Sequence, residues 1–307
     1  MENVITQDKF KHIGPDPSMG DELARPRVSY WQDAWRRLKT NKVAMVAIVV
    51  LFLILVMTIV GPHINGFKYE VMDPTKVNGK PNSTHWFGTD ELGRDIFSRV
   101  WQAGRSSMII GLVGAFISTV VGSIYGAFAA YKGGKIDNIM MRIVEVLTSI
   151  PYLIVVIIIS IVIDSRGIGT LILTLTLTGW CGMARLVRGQ MLQLKQQEFI
   201  MAAQALGVSP WKIIRKHLIP NSLSVVIVAI TFDIPGYIFA ESFLSYLGLG
   251  PQPPATSWGA LASAAQQKFI FYPYQLFFPA LMIALTMLSF TLLGDGLRDA
   301  LDPKLRQ

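Results

Sequence analysis

The chain has 307 residues, of which 51% are hydrophobic and only 16% are charged, and its mean hydropathy is +0.43. This composition is typical of integral membrane proteins and not of soluble domains. The single cysteine, Cys181, excludes an internal disulfide and a cysteine-based metal cluster. A net charge of +8 on such a chain indicates basic loops at lipid headgroups, so membrane lipid is the expected partner and nucleic acid is not.

The first 42 residues precede any long apolar run. Residues 1–29 are polar and show no sustained period. Between Tyr30 and Leu38, aromatic and apolar residues recur at helical spacing opposite basic residues. This pattern predicts an amphipathic helix at the headgroups, so residues 1–42 are expected to be a cytoplasmic tail and an interfacial helix.

Uncharged runs then dominate the chain. Five of them reach the length of about 18 residues that a bilayer-spanning helix needs, namely residues 43–60, 106–131, 146–163, 167–184 and 269–294. A sixth run, residues 222–247, is interrupted by Asp233 and Glu241. Six spans put both termini on one side, and a cytoplasmic location for them places most Lys and Arg residues inside. The sequence therefore predicts an all-α integral membrane protein with six transmembrane helices.

Small residues follow one face of the second span at steps of three and four. They are Gly104, Ser107, Gly111, Ala115, Ser118, Gly122 and Gly126. Small side chains let another helix approach closely in lipid, so we expect this face to pack within the subunit or against a partner subunit, in preference to lining a pore. Pro151, in the third span, predicts a kink.

Ionisable side chains within a bilayer are costly and are therefore functional candidates. Asp233 lies near the middle of its span beside Pro235 and Gly236, where the helix is expected to break and to line a water-filled path. A carboxylate that is paired with a neighbouring helix, or simply protonated, explains Asp233 equally well. Glu241, nearer the outer end, is the remaining candidate for the translocation path, with the membrane interface as its alternative location.

Other charged side chains lie near the ends of the third and fourth spans. Arg142 and Glu145 are one helical turn apart and predict an internal ion pair. Arg185 and Arg188 are expected to extend to the headgroups or to meet Asp295.

A polar stretch, residues 195–221, separates two apolar runs. Residues 196–206 are good helix formers and end at Gly207, which adopts the left-handed closing conformation at little cost. Residues 211–218 predict a second helix, which Pro220 is expected to stop. An apolar stripe is expected along both helices: Phe199, Ala202, Ala203, Leu206, Trp211, Ile214 and Leu218. Such a segment lies on a surface and does not span a membrane.

This stretch resembles a known coupling element. Ala202-Ala203, followed by Gly207 and by a basic, apolar helix ending at residues 219–221, is similar to the EAA loop of ATP-binding-cassette importer permeases, which inserts into a groove of the ATPase subunit. The family has a glutamate where this chain has Met201, which weakens the case for a salt bridge there, but small side chains still allow close approach. The resemblance implies coupling to the ATPase through Ala202, Ala203, Gly207, Trp211, Arg215 and Pro220. The alternative is a helix that contacts only lipid headgroups.

Further motifs are similar to the C-type permease subunit of oligopeptide, dipeptide and nickel importers. They are GTD at residues 88–90, GRD at 93–95, SR at 98–99, ARLVRGQ at 184–190 after Trp180, ESFLSYLGLG at 241–250, SWG at 257–259 and LGDGLRDALDP at 293–303. Their number and order make the resemblance more specific than the coupling element alone.

The resemblance implies the type I importer fold of ATP-binding-cassette transporters, in the bacterial inner membrane. A second permease subunit, two ATPase subunits and an extracellular peptide-binding protein are the expected partners. The chain has no GxxxxGK[ST] loop. We therefore expect a non-catalytic subunit without cofactor or metal, with ATP and Mg²⁺ bound by the ATPase partners.

The expected organisation follows from the spans and the coupling element. Residues 43–61 are the first transmembrane helix and residues 62–103 an extracellular loop. Residues 104–297 form the permease core, with five spans and the coupling loop 195–221. Residues 298–307 are a cytoplasmic tail.

The expected function is that of a permease subunit of an ATP-driven peptide importer, which forms half of the translocation path. The same architecture importing nickel or another small solute is one alternative, but no His or Cys cluster lies in the spans, which favours peptides. An ion-gradient-driven transporter, with Asp233 as proton carrier, is the other alternative. It predicts two related halves, and the sequence shows no internal repeat.

Overall fold

The computed structural model describes residues 29–163 and 167–302, which form a helical bundle. The helices in chain order are α1 (Tyr30–Thr40), α2 (Lys42–Val60), α3 (Ile96–Lys132), α4 (Gly134–Ser149), α5 (Tyr152–Ile163), α6 (Ile168–Lys195), α7 (Glu198–Ala205), α8 (Pro210–Ile213), α9 (Ile219–Tyr246), α10 (Trp258–Gln266) and α11 (Pro273–Leu301). An isolated bridge between Thr89 and Asp95 is the one β-type pairing in the described ranges. The expected tail before residue 29 lies outside them, as do residues 303–307.

Five helical segments of the described chain are long and apolar enough to cross a membrane, and they contain α2, α3, α6, α9 and α11. The expected span at residues 146–163 is instead divided between α4 and α5, which are bent by 81° relative to each other. The helix breaks at Pro151, because proline disfavours helical geometry at the residue before it and lacks an N–H donor. The kink predicted at Pro151 is therefore present, and a sixth span exists only if α4 and α5 are taken together.

Three boundaries also differ from the expected ones. α3 begins at Ile96, inside the expected loop 62–103, because the Asp95 carboxylate accepts a hydrogen bond from the Ser98 N–H at 2.8 Å and caps the helix. Residues 269–272 form a turn, and the last span begins at Pro273. At its other end α11 continues to Leu301, past the expected start of the tail at residue 298.

α3 is the longest helix, and its small residues pack inside the subunit. A methyl group on Gly104 would lie 2.8 Å from the Trp258 ring, and one on Gly111 would lie 2.7 Å from Ile238. One on Gly122 would lie 2.5 Å from the carbonyl oxygen of Trp180. The small-residue face therefore admits α6, α9 and α10 of the same chain, as expected for close helix packing.

The two ends of the bundle are distinct. At one end, the Lys195 ammonium donates to the Ala130 carbonyl (3.0 Å), so α3 and α6 end together beside Gly207. We call this the Gly207 end. α1 lies here too, because the Tyr30 hydroxyl donates to the Leu301 carbonyl at 3.0 Å. The opposite end carries the α2–α3 loop and is called the Asp95 end.

Candidate coupling segment and translocation path

Gly207 closes α7 by a complete helix-capping motif. Its φ is +72°, in the left-handed region that favours glycine. The Gly207 N–H donates to the Gln204 carbonyl (3.0 Å), and the Val208 N–H donates to the Ala203 carbonyl (3.1 Å). These two bonds define a Schellman motif, which turns the chain sharply between α7 and α8.

Buried apolar side chains anchor this segment to the bundle. Ile200 of α7 is fully buried, and Ile213, Ile214 and Leu218 follow in the next helical stretch. They form one cluster with residues of α3 and α6: Ala130, Met183, Val187 and Met191. The segment is thus fixed from one side by packing.

The opposite side exposes large apolar side chains, which we call the docking face: Phe199, Met201, Leu206 and Trp211. Leu206 is 83% exposed and Trp211 is 68% exposed, the highest values among the large apolar side chains of the segment. Ala202 is exposed beside them and Ala203 is half-buried. Arg215 is exposed as well and has no ion pair within the described residues.

The expected apolar stripe was wrong in phase. Trp211 is exposed, while Ile214 and Leu218, which were assigned to the same stripe, are buried. A π-helical turn over Ile214–Leu218 then changes the helical phase of the residues that follow it.

Pro220 does not stop a helix, contrary to the expectation. The preceding π turn widens the backbone, and the Ile219 N–H bonds to the Ile214 carbonyl. Pro220 then occupies the first turn of α9, where the missing N–H costs little. As a result, Trp211 and Tyr246 belong to one continuous helical stretch.

Asp233 is half-buried in α9 and makes no hydrogen bond or ion pair with any described residue. The expected break at Pro235 is absent, since α9 runs unbroken from Ile219 to Tyr246. Pro235 is buried, so neighbouring helices support the backbone there. The next turn carries Tyr237, whose hydroxyl is hydrogen-bonded to Ser118 of α3.

Glu241 is fully buried, with 0% of its surface exposed. Its Oε1 accepts hydrogen bonds from the hydroxyls of Ser245 (2.7 Å) and Ser257 (2.5 Å), and its Oε2 accepts one from Ser107 (3.0 Å). The Glu241 side chain is therefore enclosed within the subunit.

The same serines organise the start of α10. The Ser107 hydroxyl accepts from the Trp258 N–H, and the Ser257 hydroxyl accepts from the Ala260 N–H, each at 3.1 Å. Each serine is thus oriented to donate its proton to Glu241. The carboxylate joins α3, α9 and α10, and Ser107 was missed as a polar partner because its spacing indicated only a packing face.

The charged groups around α4 and α6 are paired, in part differently from the expectation. Arg142 and Glu145 form the predicted ion pair at 2.8 Å. Arg188 meets Asp137, not Asp295 and not the headgroups, and Arg185 donates to the Thr148 hydroxyl at 2.7 Å. No local pattern points to Asp137 as the partner, because it lies 51 positions from Arg188.

Comparison with protein families gives two matches. Residues 122–307 match the family described as binding-protein-dependent transport system inner membrane component. Residues 29–81 match the N-terminal transmembrane domain of oligopeptide transport permease C.

Curated relatives align along nearly the whole chain. The dipeptide transport system permease protein DppC of Bacillus subtilis is 50% identical over 305 residues, covering 99% of this chain and 93% of the relative. The oligopeptide transport system permease protein OppC of the same organism is 42% identical, covering 99% of each chain. OppC of Escherichia coli is 43% identical, covering 90% of this chain and 92% of the relative.

A solved structure supports the fold. A chain of the MetNI methionine ABC transporter, in an inward-facing conformation, superposes with a TM-score of 0.55 over 66% of this chain and 98% of that chain, at 21% identity. The expected all-α fold of an ABC importer permease is therefore confirmed. The chain belongs to the family of inner-membrane components of binding-protein-dependent transport systems, in the branch of the oligopeptide transport permease C subunits.

Proposed function

We propose that this chain is a transmembrane permease subunit of an ATP-driven peptide importer in the bacterial inner membrane. The substrate class is supported by the relatives, whose names describe dipeptide and oligopeptide transport systems. The subunit itself catalyses no bond cleavage and holds half of the translocation path.

The docking face is the observation that carries the proposal. A segment that is anchored on one side by Ile200, Ile213 and Leu218 and exposes Leu206 and Trp211 on the other is suited to bind a further protein. The exposed small side chain of Ala202 permits close approach there. The partner is an ATPase subunit, which binds ATP and Mg²⁺ and contacts Ala202, Ala203, Gly207, Trp211 and Arg215.

The orientation and the other partners follow from this assignment. The Gly207 end and both termini face the cytoplasm, where ATP is available. Two ATPase subunits bind at this end, a second permease subunit packs beside the bundle, and a peptide-binding protein delivers substrate at the Asp95 end.

The path of coupling runs along one helix. Because the chain is helical without interruption from Trp211 to Tyr246, a displacement of the docking face is transmitted directly to α9, which carries Asp233. Pro220 belongs to this connection and does not form a break. Closure of the ATPases would therefore rock the permease as a rigid body and alternate access to the path.

Reconstitution tests the function. The chain is incorporated into proteoliposomes with its partner permease, ATPases and binding protein, and uptake of labelled peptides of two to six residues is compared with uptake of nickel. We expect peptide uptake that needs ATP at the ATPase side and does not respond to an imposed proton gradient. Gradient-driven uptake without ATP would make the subunit a secondary transporter, and ATP-dependent uptake of nickel alone would change the substrate.

A further inference from the structure

Two charged side chains near the same part of the bundle have no partner within the described ranges. Asp233 of α9 and Arg298 of α11 take part in no ion pair and no hydrogen bond there. Other charges of the core are satisfied, as Glu241 is by its serines. A carboxylate near the middle of a span is costly unless a cation or water meets it.

An open groove of about 420 Å³ lies at the Gly207 end, and Arg298 is one of its lining residues. Its walls include Leu186 of α6, Val225 and Phe232 of α9, and Arg298 of α11. Ser224 and Asp302 also line it. Asp233 is not one of the lining residues, but it lies one helical turn beyond Ala229, which lines the groove, on the side away from the Gly207 end.

The axial distance between the charges is set by the contact of α9 with α11. A methyl group on Gly294 would lie 2.7 Å from Thr231 Oγ1 and 3.0 Å from Phe232, so these residues are at one level. From this common level, Arg298 lies four residues towards the Gly207 end along α11. Asp233 lies about two residues away from that end along α9. At a rise of 1.5 Å per residue, the backbones are offset by about 8 Å along the bundle.

We propose that this groove binds a short peptide, with the peptide ammonium at Asp233 and its terminal carboxylate towards Arg298. An extended chain advances about 3.3–3.6 Å per residue, so the offset fits two or three residues. The guanidinium offers the fork of donors that a carboxylate prefers, and the apolar walls contact side chains of varied sequence. The inference rests on the proposed function and adds to it a binding site within the permease.

Binding without the delivery protein tests the site. The complex of this chain with its partner permease and ATPases, free of nucleotide and of binding protein, is placed in lipid nanodiscs. Affinities are measured for labelled trialanine and, by competition, for N-acetyl-trialanine and trialanine amide. The variants are Asp233→Asn and Arg298→Gln, with Asp233→Glu as conservative rescue and Asp299→Asn, an exposed residue of the same region, as matched control.

Each charge should recognise one end of the peptide. In the wild-type complex we expect each blocked peptide to bind about tenfold more weakly than trialanine, the change that 1.4 kcal/mol produces. Asp233→Asn should bind trialanine and N-acetyl-trialanine equally and still discriminate against the amide. Arg298→Gln should show the reverse, while Asp233→Glu and Asp299→Asn should behave as wild type.

Three results would overturn the inference. Unchanged discrimination in both Asp233→Asn and Arg298→Gln would show that the peptide ends are recognised elsewhere. Loss of the partner permease from Asp233→Asn, but not from Asp233→Glu, would assign the carboxylate to an ion pair between subunits. Wild-type complexes that import peptide in proteoliposomes yet do not discriminate the blocked peptides would reject this site alone, whereas absence of any peptide import would reject the proposed function with it.

Discussion

Arg188 of α6 and Asp137 of α4 form a two-point ion pair, with Nε–Oδ1 and Nη2–Oδ2 distances of 2.5 and 2.6 Å. The Asp137 side chain is only 8% exposed. Apart from Asp137, Val144 is the one buried residue of α4. The ion pair is therefore a principal attachment of α4 to the bundle, with the weaker hydrogen bond from Arg185 to Thr148 near the other end of the helix.

Arg188→Ala should destabilise the subunit, because it leaves the Asp137 carboxylate buried without a partner. We expect a loss of about 2–3 kcal/mol in the free energy of unfolding, at or below the lower end of the range for buried pairs since Arg188 is partly exposed. Thermal unfolding of the purified complex measures the effect. Arg142→Ala is the matched control, because its pair with Glu145 is exposed on both sides and should contribute less than about 1 kcal/mol. Equal shifts in both variants would contradict this account.

Gly207→Val should uncouple ATP hydrolysis from transport. A β-branched residue is strongly disfavoured at a φ of +72°, so the turn between α7 and α8 would change and displace the docking face. Space does not limit the site, since a methyl group there would meet no atom within 4 Å. Gly207→Asn, which tolerates the left-handed conformation, should keep transport close to wild type. Uptake and ATP hydrolysis measured on the same proteoliposomes distinguish the variants, and normal uptake by Gly207→Val would refute the conformational requirement.

The sequence predicted the first span closely, and for the third span it predicted the kink at Pro151 but not the 81° size of the bend. Residues 43–60 form an uncharged run, and the helix found is Lys42–Val60. Residues 146–163 are equally uncharged, but hydropathy carries no information on the angle between two successive helical segments. The angle at Pro151 depends on contacts such as that of Arg185 with Thr148, which no local pattern contains.

In the coupling segment, residues 195–221, the sequence predicted the position of a turn but not the burial of the side chains around it. Gly207 was predictable, because the end of a helix needs a residue that adopts positive φ at little cost. Which side chains of the segment are buried was not predictable. α7 has 8 residues and α8 has 4, and helices this short do not define which face is buried. The π turn at Ile214–Leu218 then changes the phase again.

Glu241→Ala should destabilise the contact between α3, α9 and α10. It leaves the hydroxyls of Ser107, Ser245 and Ser257 without their acceptor in a buried site, at a cost of about 1–3 kcal/mol for each group that finds no other partner. Ser245→Ala should cost less, because Glu241 keeps two of its three donors. Thermal unfolding compares the two variants, and equal stability of Glu241→Ala and wild type would show that the network contributes nothing.

Gly259→Ala tests the contact between α3, α9 and α10 by adding a methyl group where the packing is close. The added methyl group would overlap the Ser242 backbone and lie 3.0 Å from Glu241 Oε1, so α10 would have to move. Gly189→Ala is the control, since a methyl group at Gly189 of α6 meets no atom within 4 Å and should be neutral or slightly stabilising. We expect a clear loss of thermal stability for Gly259→Ala and none for Gly189→Ala. A loss of similar size in both would indicate a general effect of the substitution.

Trp211→Ala and Ile213→Ala should separate docking from folding. Trp211 is 68% exposed, so its truncation removes little contact within the subunit but a large apolar side chain from the docking face. We expect Trp211→Ala to unfold at the wild-type temperature and to bind the ATPase subunits at least about tenfold more weakly, as for a truncated aromatic anchor at an interface.

Ile213 is 4% exposed and belongs to the anchoring cluster. Its truncation should lower the free energy of unfolding by about 2–5 kcal/mol through the cavity that it leaves. Both properties are measurable on one preparation, by thermal unfolding of the permease pair and by titration with purified ATPase. If Trp211→Ala bound the ATPase as tightly as wild type, the exposed apolar face would be a contact with lipid headgroups, and the ATPase would have to bind elsewhere at the Gly207 end.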